Sequence, residues 1–191
     1  PGPDCLPNGD YYAGETPPLG ECLIISVAWS HLVAIYAEDP AVKVFPTLEH
    51  ALELAPTLRT LMVDELKKCL EDPELLLEDQ KQSLRTAMAR FMRGNSNFDE
   101  SNVGDTKSTV NEYYRGMRLP GTYAGEIELR MLSYVLKRPI TVLRPAGFSG
   151  FSGCSGGLLR FSSMFGEDLI EDGKLARIAV LYHGMEAEHY S

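Results

Sequence analysis

The chain predicts an α+β fold, a small sheet packed on helices, from three observations. Helical periodicities come first, short strand-like apolar runs come last, and no internal repeat is present. Residues 1–19 are rich in Pro, Gly and polar groups and read as an irregular arm; residues 20–191 form the domain proper. From Cys22 to about Tyr36 the chain is almost continuously apolar, too long for a typical strand, and reads as a helix buried on most sides. Thr47 caps a short helix expected to stop at Leu54, before Pro56, and Thr57 caps the next. In that next helix Leu58, Leu61, Met62, Leu66, Cys69 and Leu70 recur at helical spacing. Leu84, Ala87, Met88, Phe91 and Met92 mark another helix. Gly94 to Ser108 is crowded with Asn, Ser, Asp and Gly and reads as a mobile loop. A short helical pattern covers Thr109–Arg115, Pro120-Gly121 marks a turn, and Glu126–Leu136 is a helix with Ile127, Leu129, Leu132 and Val135 as its apolar positions. Pro139 ends it. Strands are expected at Ile140–Leu143, Leu158–Phe165 and Arg177–Tyr182, with a Gly/Ser-rich turn over 147–157.

A chain of 191 residues has length for one domain with a sizeable core. The net charge of −9 argues against a general nucleic-acid binder and favours basic partners; solubility alone is the plain alternative. No apolar run approaches the roughly 20 residues of a membrane span. Pro1-Gly2-Pro3-Asp4 has neither a charged leader nor an apolar stretch, so no signal peptide is expected. Cys5, Cys22, Cys69 and Cys154 show no metal spacing, so neither metal nor cofactor is expected. Four scattered cysteines fit reduced thiols inside a cell better than a disulfide framework.

Two segments carry possible chemistry. Gly20-Glu21-Cys22-Leu23-Ile24-Ile25 puts a cysteine where a helix begins. The helix dipole and unpaired N–H groups there favour a thiolate, and backbone N–H groups of Leu19, Gly20, Glu21 and Cys22 are candidate oxyanion donors. A buried structural cysteine is the bland alternative. His189 follows the apolar run Ile178–Tyr182 and a polar turn, so a strand can hold it and still let it reach a cleft. His183 is a weaker rival for that role; His31 and His50 lie in helical stretches and read as structural. Cys69 lies on a core face, and Cys154 sits in Gly150–Gly156 with no helix following, so neither competes with Cys22 as nucleophile.

These segments resemble a known family. Gly20-Glu21-Cys22-Leu23-Ile24 is similar to the nucleophile segment of ovarian-tumour (OTU) domain cysteine proteases. Tyr113 to Leu129 resembles that family's central block, with Gly121-Thr122-Tyr123-Ala124-Gly125 followed by Glu126-Ile127-Glu128-Leu129. Leu132-Ser133 and Leu136 to Ile140 extend the likeness, and Ile178–Tyr182 with His189-Tyr190 resembles the closing strand and catalytic histidine. The central block is the most specific part. The resemblance implies a papain-like OTU fold with a small, mainly antiparallel sheet packed between helices. It implies a deubiquitinase in which Cys22 and His189 hydrolyse the isopeptide bond after ubiquitin's terminal glycine through a thioester. It also implies ubiquitin or polyubiquitin as partner, a monomer, no membrane, and an intracellular, cytoplasmic setting (the host cytosol if the source is a pathogen).

The departures bear on the third catalytic member. The family's usual Asp three residues before the cysteine is Leu19 here, and the position two after the histidine is Ser191. Ser191, Asp10 and Asn8 are the candidates, and a Cys–His dyad stays open. Tyr123, Ala124, Gly125 and Glu126 are expected along the ubiquitin tail, where small residues admit its glycines. Glu126 and Glu128 are candidates to meet the tail's arginines, unless they form a solvated helix face. Two alternatives stay open: a catalytically weak or inactive ubiquitin-binding pseudoenzyme, and a protease for another Gly-Gly-tailed modifier.

Overall fold

A computed structural model of the chain describes residues 21–39, 41–72, 74–93, 98, 106–145, 159–166, 169 and 178–181. The elements run α1 (Cys22–Glu38), α2 (Leu48–Glu71), α3 (Glu78–Met92), α4 (Thr106–Met117), α5 (Glu126–Leu136), β1 (Ile140–Pro145), β2 (Leu159–Phe165) and β3 (Ile178–Leu181). The arm over 1–19 and the Gly/Ser-rich 147–157 stretch lie outside the described residues.

The α+β class is met. In α1 every residue from Cys22 to Ala28 is buried, as a run apolar on all sides requires. The Thr47 start is also met: Thr47 N–H donates to His50 Nδ1 at 3.1 Å, which fixes the role of His50 as a helix-start residue.

The expected break at Pro56 is absent, because α2 runs through it. Pro56 and Leu52 are both exposed, so the Leu52 carbonyl that loses its donor faces water. Meanwhile Ala51, Ala55, Leu58, Met62 and Leu66 keep one buried stripe along the whole helix. That burial outweighs a proline penalty of about 3 kcal/mol. Leu61 is off the stripe and 45% exposed, and Ala87 is likewise exposed on α3.

Helix α4 begins three residues before the expected start, and Phe98, inside the stretch read as a mobile loop, is buried. Its ring stacks on Tyr113 with centroids 5.8 Å apart and meets Phe91 edge-on at 5.9 Å. The remainder of 94–105 lies outside the described residues. Helix α5 has its expected bounds. Lys137 closes it in a left-handed conformation (φ 52°), and Pro139 leads directly into β1.

The described sheet has three strands in the order β2-β1-β3. It is mixed rather than mainly antiparallel: β1 pairs antiparallel with β2 and parallel with β3. The register explains why. Ile140, at the start of β1, faces both Phe165 at the end of β2 and Ile178 at the start of β3. The chain leaves β2 and enters β3 at the same end of β1, on opposite sides of it, so β3 must run parallel. Ile140, Thr141, Val142 and Leu143 are all buried, so β1 is covered on both faces. Helix α5 packs on β1 and β2, and α1 packs on β3, where Ser30 Oγ donates to the Ala179 carbonyl at 2.9 Å.

Candidate active site

Cys22 opens α1, with Glu21 as its N-cap residue. A helix's first N–H groups have no intrahelical acceptor; here the Ile25 N–H reaches the Glu21 carbonyl at 3.0 Å, so the helical ladder begins there. Ser26 Oγ donates to the Cys22 carbonyl at 2.7 Å and tightens this first turn. The nucleophile candidate therefore stands at the positive end of a helix. Cys22 is 2% exposed, and burial by itself fits a poised nucleophile and a structural thiol equally. His189, His183, Leu19, Gly20, Ser191, Asp10, Asn8 and Cys154 lie outside the described residues. Cys69 is buried in the core, and burial pushes its thiol up, as an inert position requires.

The central block is built from α4, a turn and α5. At the end of α4 the Leu119 N–H donates to the Gly116 carbonyl at 3.1 Å, and Thr122 Oγ1 donates to the same carbonyl at 2.8 Å. Gly121 lies between them with φ 79°, a conformation that glycine adopts without strain. Beyond the turn, Tyr123 is 43% exposed, Ala124 is buried at 9%, Gly125 is half-buried and Glu126 is exposed. Of the four tail-binding candidates, Tyr123, Ala124 and Gly125 thus form a short non-helical segment that leads into α5, and Glu126 is the first residue of that helix.

Glu128 is neither a tail contact nor part of a solvated face. It is buried, and its two oxygens accept from Tyr113 Oη at 2.5 Å and from the Gly125 N–H at 2.8 Å. Burial pushes its carboxyl up, and the Tyr113 bond, the Gly125 bond and Arg59 oppose that. Both oxygens accept hydrogen bonds, which favours the carboxylate form against the effect of burial. Burial, followed by the charge of Glu128, raises the Tyr113 hydroxyl well above its usual range, so it stays a donor. The arrangement pins Gly125 to α5 and α5 to α4.

Arg59 completes this framework. It sits on the buried stripe of α2, 3% exposed, and its two terminal nitrogens donate to the Met117 and Thr122 carbonyls, each at 2.9 Å. Its Nε lies 3.4 Å from the Glu21 carboxylate. Burial pulls the guanidinium down from its ordinary value, while Glu21 and then Glu128 hold it up. Sequence reasoning passed over Arg59 and the internal role of Glu128. The signal was present: each charge interrupts an apolar helical stripe, Arg59 between Ala55 and Val63, Glu128 beside Met131 and Leu132.

Among the described residues no group of three or more His, Cys, Asp or Glu side chains is arranged to hold a metal ion, and no helix is long and apolar enough to cross a membrane. A comparison with curated proteins finds no match. A family model described as OTU-like cysteine protease matches residues 17–190.

Proposed function

The chain belongs to the OTU-like cysteine protease family, and from that premise we propose that it hydrolyses the isopeptide bond after the C-terminal glycine of ubiquitin, with Cys22 as nucleophile and His189 as its base. The observation that carries this reading is the family match itself, which brackets Cys22 and His189 and contains the whole central block.

His189 takes the thiol proton of Cys22 or pairs with its thiolate, and the sulfur attacks the terminal glycine carbonyl. Backbone N–H groups from Leu19 to Cys22 meet the oxyanion. His189 returns the proton to the departing lysine amine, and water clears the thioester. The third member, drawn from Ser191, Asp10 or Asn8, orients the imidazole. The tail runs along Tyr123, Ala124 and Gly125, where the small residues Ala124 and Gly125 admit Gly-Gly, and Glu126 is exposed for an arginine of the tail. A net charge of −9 steers a basic tail toward the enzyme.

A panel of differently linked di-ubiquitins, incubated with wild type and with Cys22→Ala, tests the reading. Release of mono-ubiquitin by wild type and not by Cys22→Ala is expected. No release from any linkage, with cleavage of a different Gly-Gly-tailed modifier, would transfer the assignment to that modifier. Binding of ubiquitin with no cleavage of any modifier would make the chain a pseudoenzyme.

A further inference from the structure

A guanidinium on the core stripe of a helix is costly unless its N–H groups are used. Arg59 uses its fork on three partners drawn from two separate segments. Glu21 is the residue immediately before Cys22, and Met117 and Thr122 bound the turn that delivers Tyr123, Ala124 and Gly125. Glu128, which holds the Gly125 N–H, attracts the same cation. Glu21 is a carboxylate directly before Cys22 in the chain, and position 19 is a leucine.

We infer that Arg59 is a positioning residue for hydrolysis: through Glu21 it fixes the start of α1 at Cys22, and through the Met117 and Thr122 carbonyls it fixes the substrate segment, so that both meet the same acyl carbon in register. The inference rests on the assignment of Cys22 as nucleophile. Its physical basis is the planar fork of arginine, whose donor directions are rigid. A lysine keeps the charge but offers one flexible nitrogen, which cannot hold two carbonyls and a carboxylate in a set relation. Glu21 is partly exposed, so its replacement disturbs the fork without opening the core.

Displacing reacting groups by about 1 Å costs on the order of 100-fold in rate. Glu21→Ala is therefore expected to lower kcat on a ubiquitin C-terminal amide substrate by about 10- to 100-fold, with KM nearly unchanged. Glu21→Gln, whose amide oxygen still accepts from Nε, recovers most of that loss, and Arg59→Lys does not recover. Alkylation of Cys22 by iodoacetamide, followed on its own peptide by mass spectrometry, needs no oxyanion donors and stays near the wild-type rate in Glu21→Ala. A purely structural role would lower alkylation behaviour and turnover together, or would be rescued by lysine. Wild-type kcat in both Glu21→Ala and Arg59→Lys would overturn the inference, as would parallel changes in kcat and alkylation. Failure of the ubiquitin reading is distinct, because it appears as no turnover by wild type. In that case hydrogen exchange decides the clamp: Arg59→Lys raises exchange in residues 21–24 and 117–124 together if Arg59 couples them, and a rise in only one segment, or in neither, overturns it.

Discussion

Removing the Tyr113 hydroxyl probes the buried framework behind the candidate substrate segment. In Tyr113→Phe the ring remains, so its stacking with Phe98 and its edge contact with Phe91 are kept. The loss is one 2.5 Å hydrogen bond to a buried carboxylate. Hydrogen bonds to charged groups contribute about 1.5–3 kcal/mol, and burial puts this one in the upper half, since water does not replace the donor. Glu128 keeps the Gly125 N–H and the attraction of Arg59, so the loss stays below the roughly 3–5 kcal/mol of an uncompensated buried charge. A loss of about 2–3 kcal/mol follows. Urea unfolding, read by the fluorescence of Trp29, should show the midpoint falling by about 1 M with the slope unchanged. The loss has a defined pH dependence. The Tyr113 bond holds the Glu128 carboxyl down against burial. Without it the folded variant binds a proton at higher pH than wild type, so the variant recovers stability as pH falls through that point. A loss under about 0.5 kcal/mol at neutral pH, or one that grows toward acid, would refute the reasoning.

Three further outcomes follow from the packing. Pro56→Ala restores a donor for the Leu52 carbonyl inside a continuous helix and should raise stability by about 1–3 kcal/mol; a lower Tm would contradict an unbroken α2. At Gly116 an added Cβ would stand 2.3 Å from Phe98 Cε1, so overpacking of about 1–3 kcal/mol outweighs a helix gain of about 1 kcal/mol. Gly116→Ala should lower Tm, and Phe98→Ala in the same chain should remove the clash; a raised Tm in the single variant would be inconsistent with this packing. Burial first, then Arg138, pulls His31 below its ordinary 6.5, with Glu38 opposing. The unfolded chain therefore takes up a proton near pH 6.5 that the folded chain resists, so stability falls as pH drops through 6.5 and levels off below the folded-state value. His31→Leu should flatten that part of a stability curve measured by urea unfolding at several pH values, and an unchanged curve would show that His31 is not its source.

What could be read from the sequence, and what could not, divides by the range of the interactions. Helix α5 and the three strands were legible because their apolar spacing and bounding Pro and Gly residues are local. The continuity of α2 was not, since the proline signal is local while the stripe that overrides it is a tertiary quantity. The parallel β3 was hidden for a related reason: its direction depends on which side of β1 the chain returns, and no residue type encodes that. Cys22 at a helix start was visible from Gly20 and the apolar run after it. The ties that fix its surroundings, Arg59 to Glu21 and Glu128 to Gly125, join residues far apart in sequence or reverse the ordinary expectation that a helical glutamate faces water. They leave only a faint trace, a charge within an apolar stripe.

The most direct test uses ubiquitin carrying a C-terminal electrophile, with the adduct located by peptide mass mapping. A single adduct on Cys22, abolished in Cys22→Ala and slowed in His189→Ala, is the predicted result. An adduct on Cys154 or another cysteine, or none under conditions where a related protease reacts fully, would contradict it.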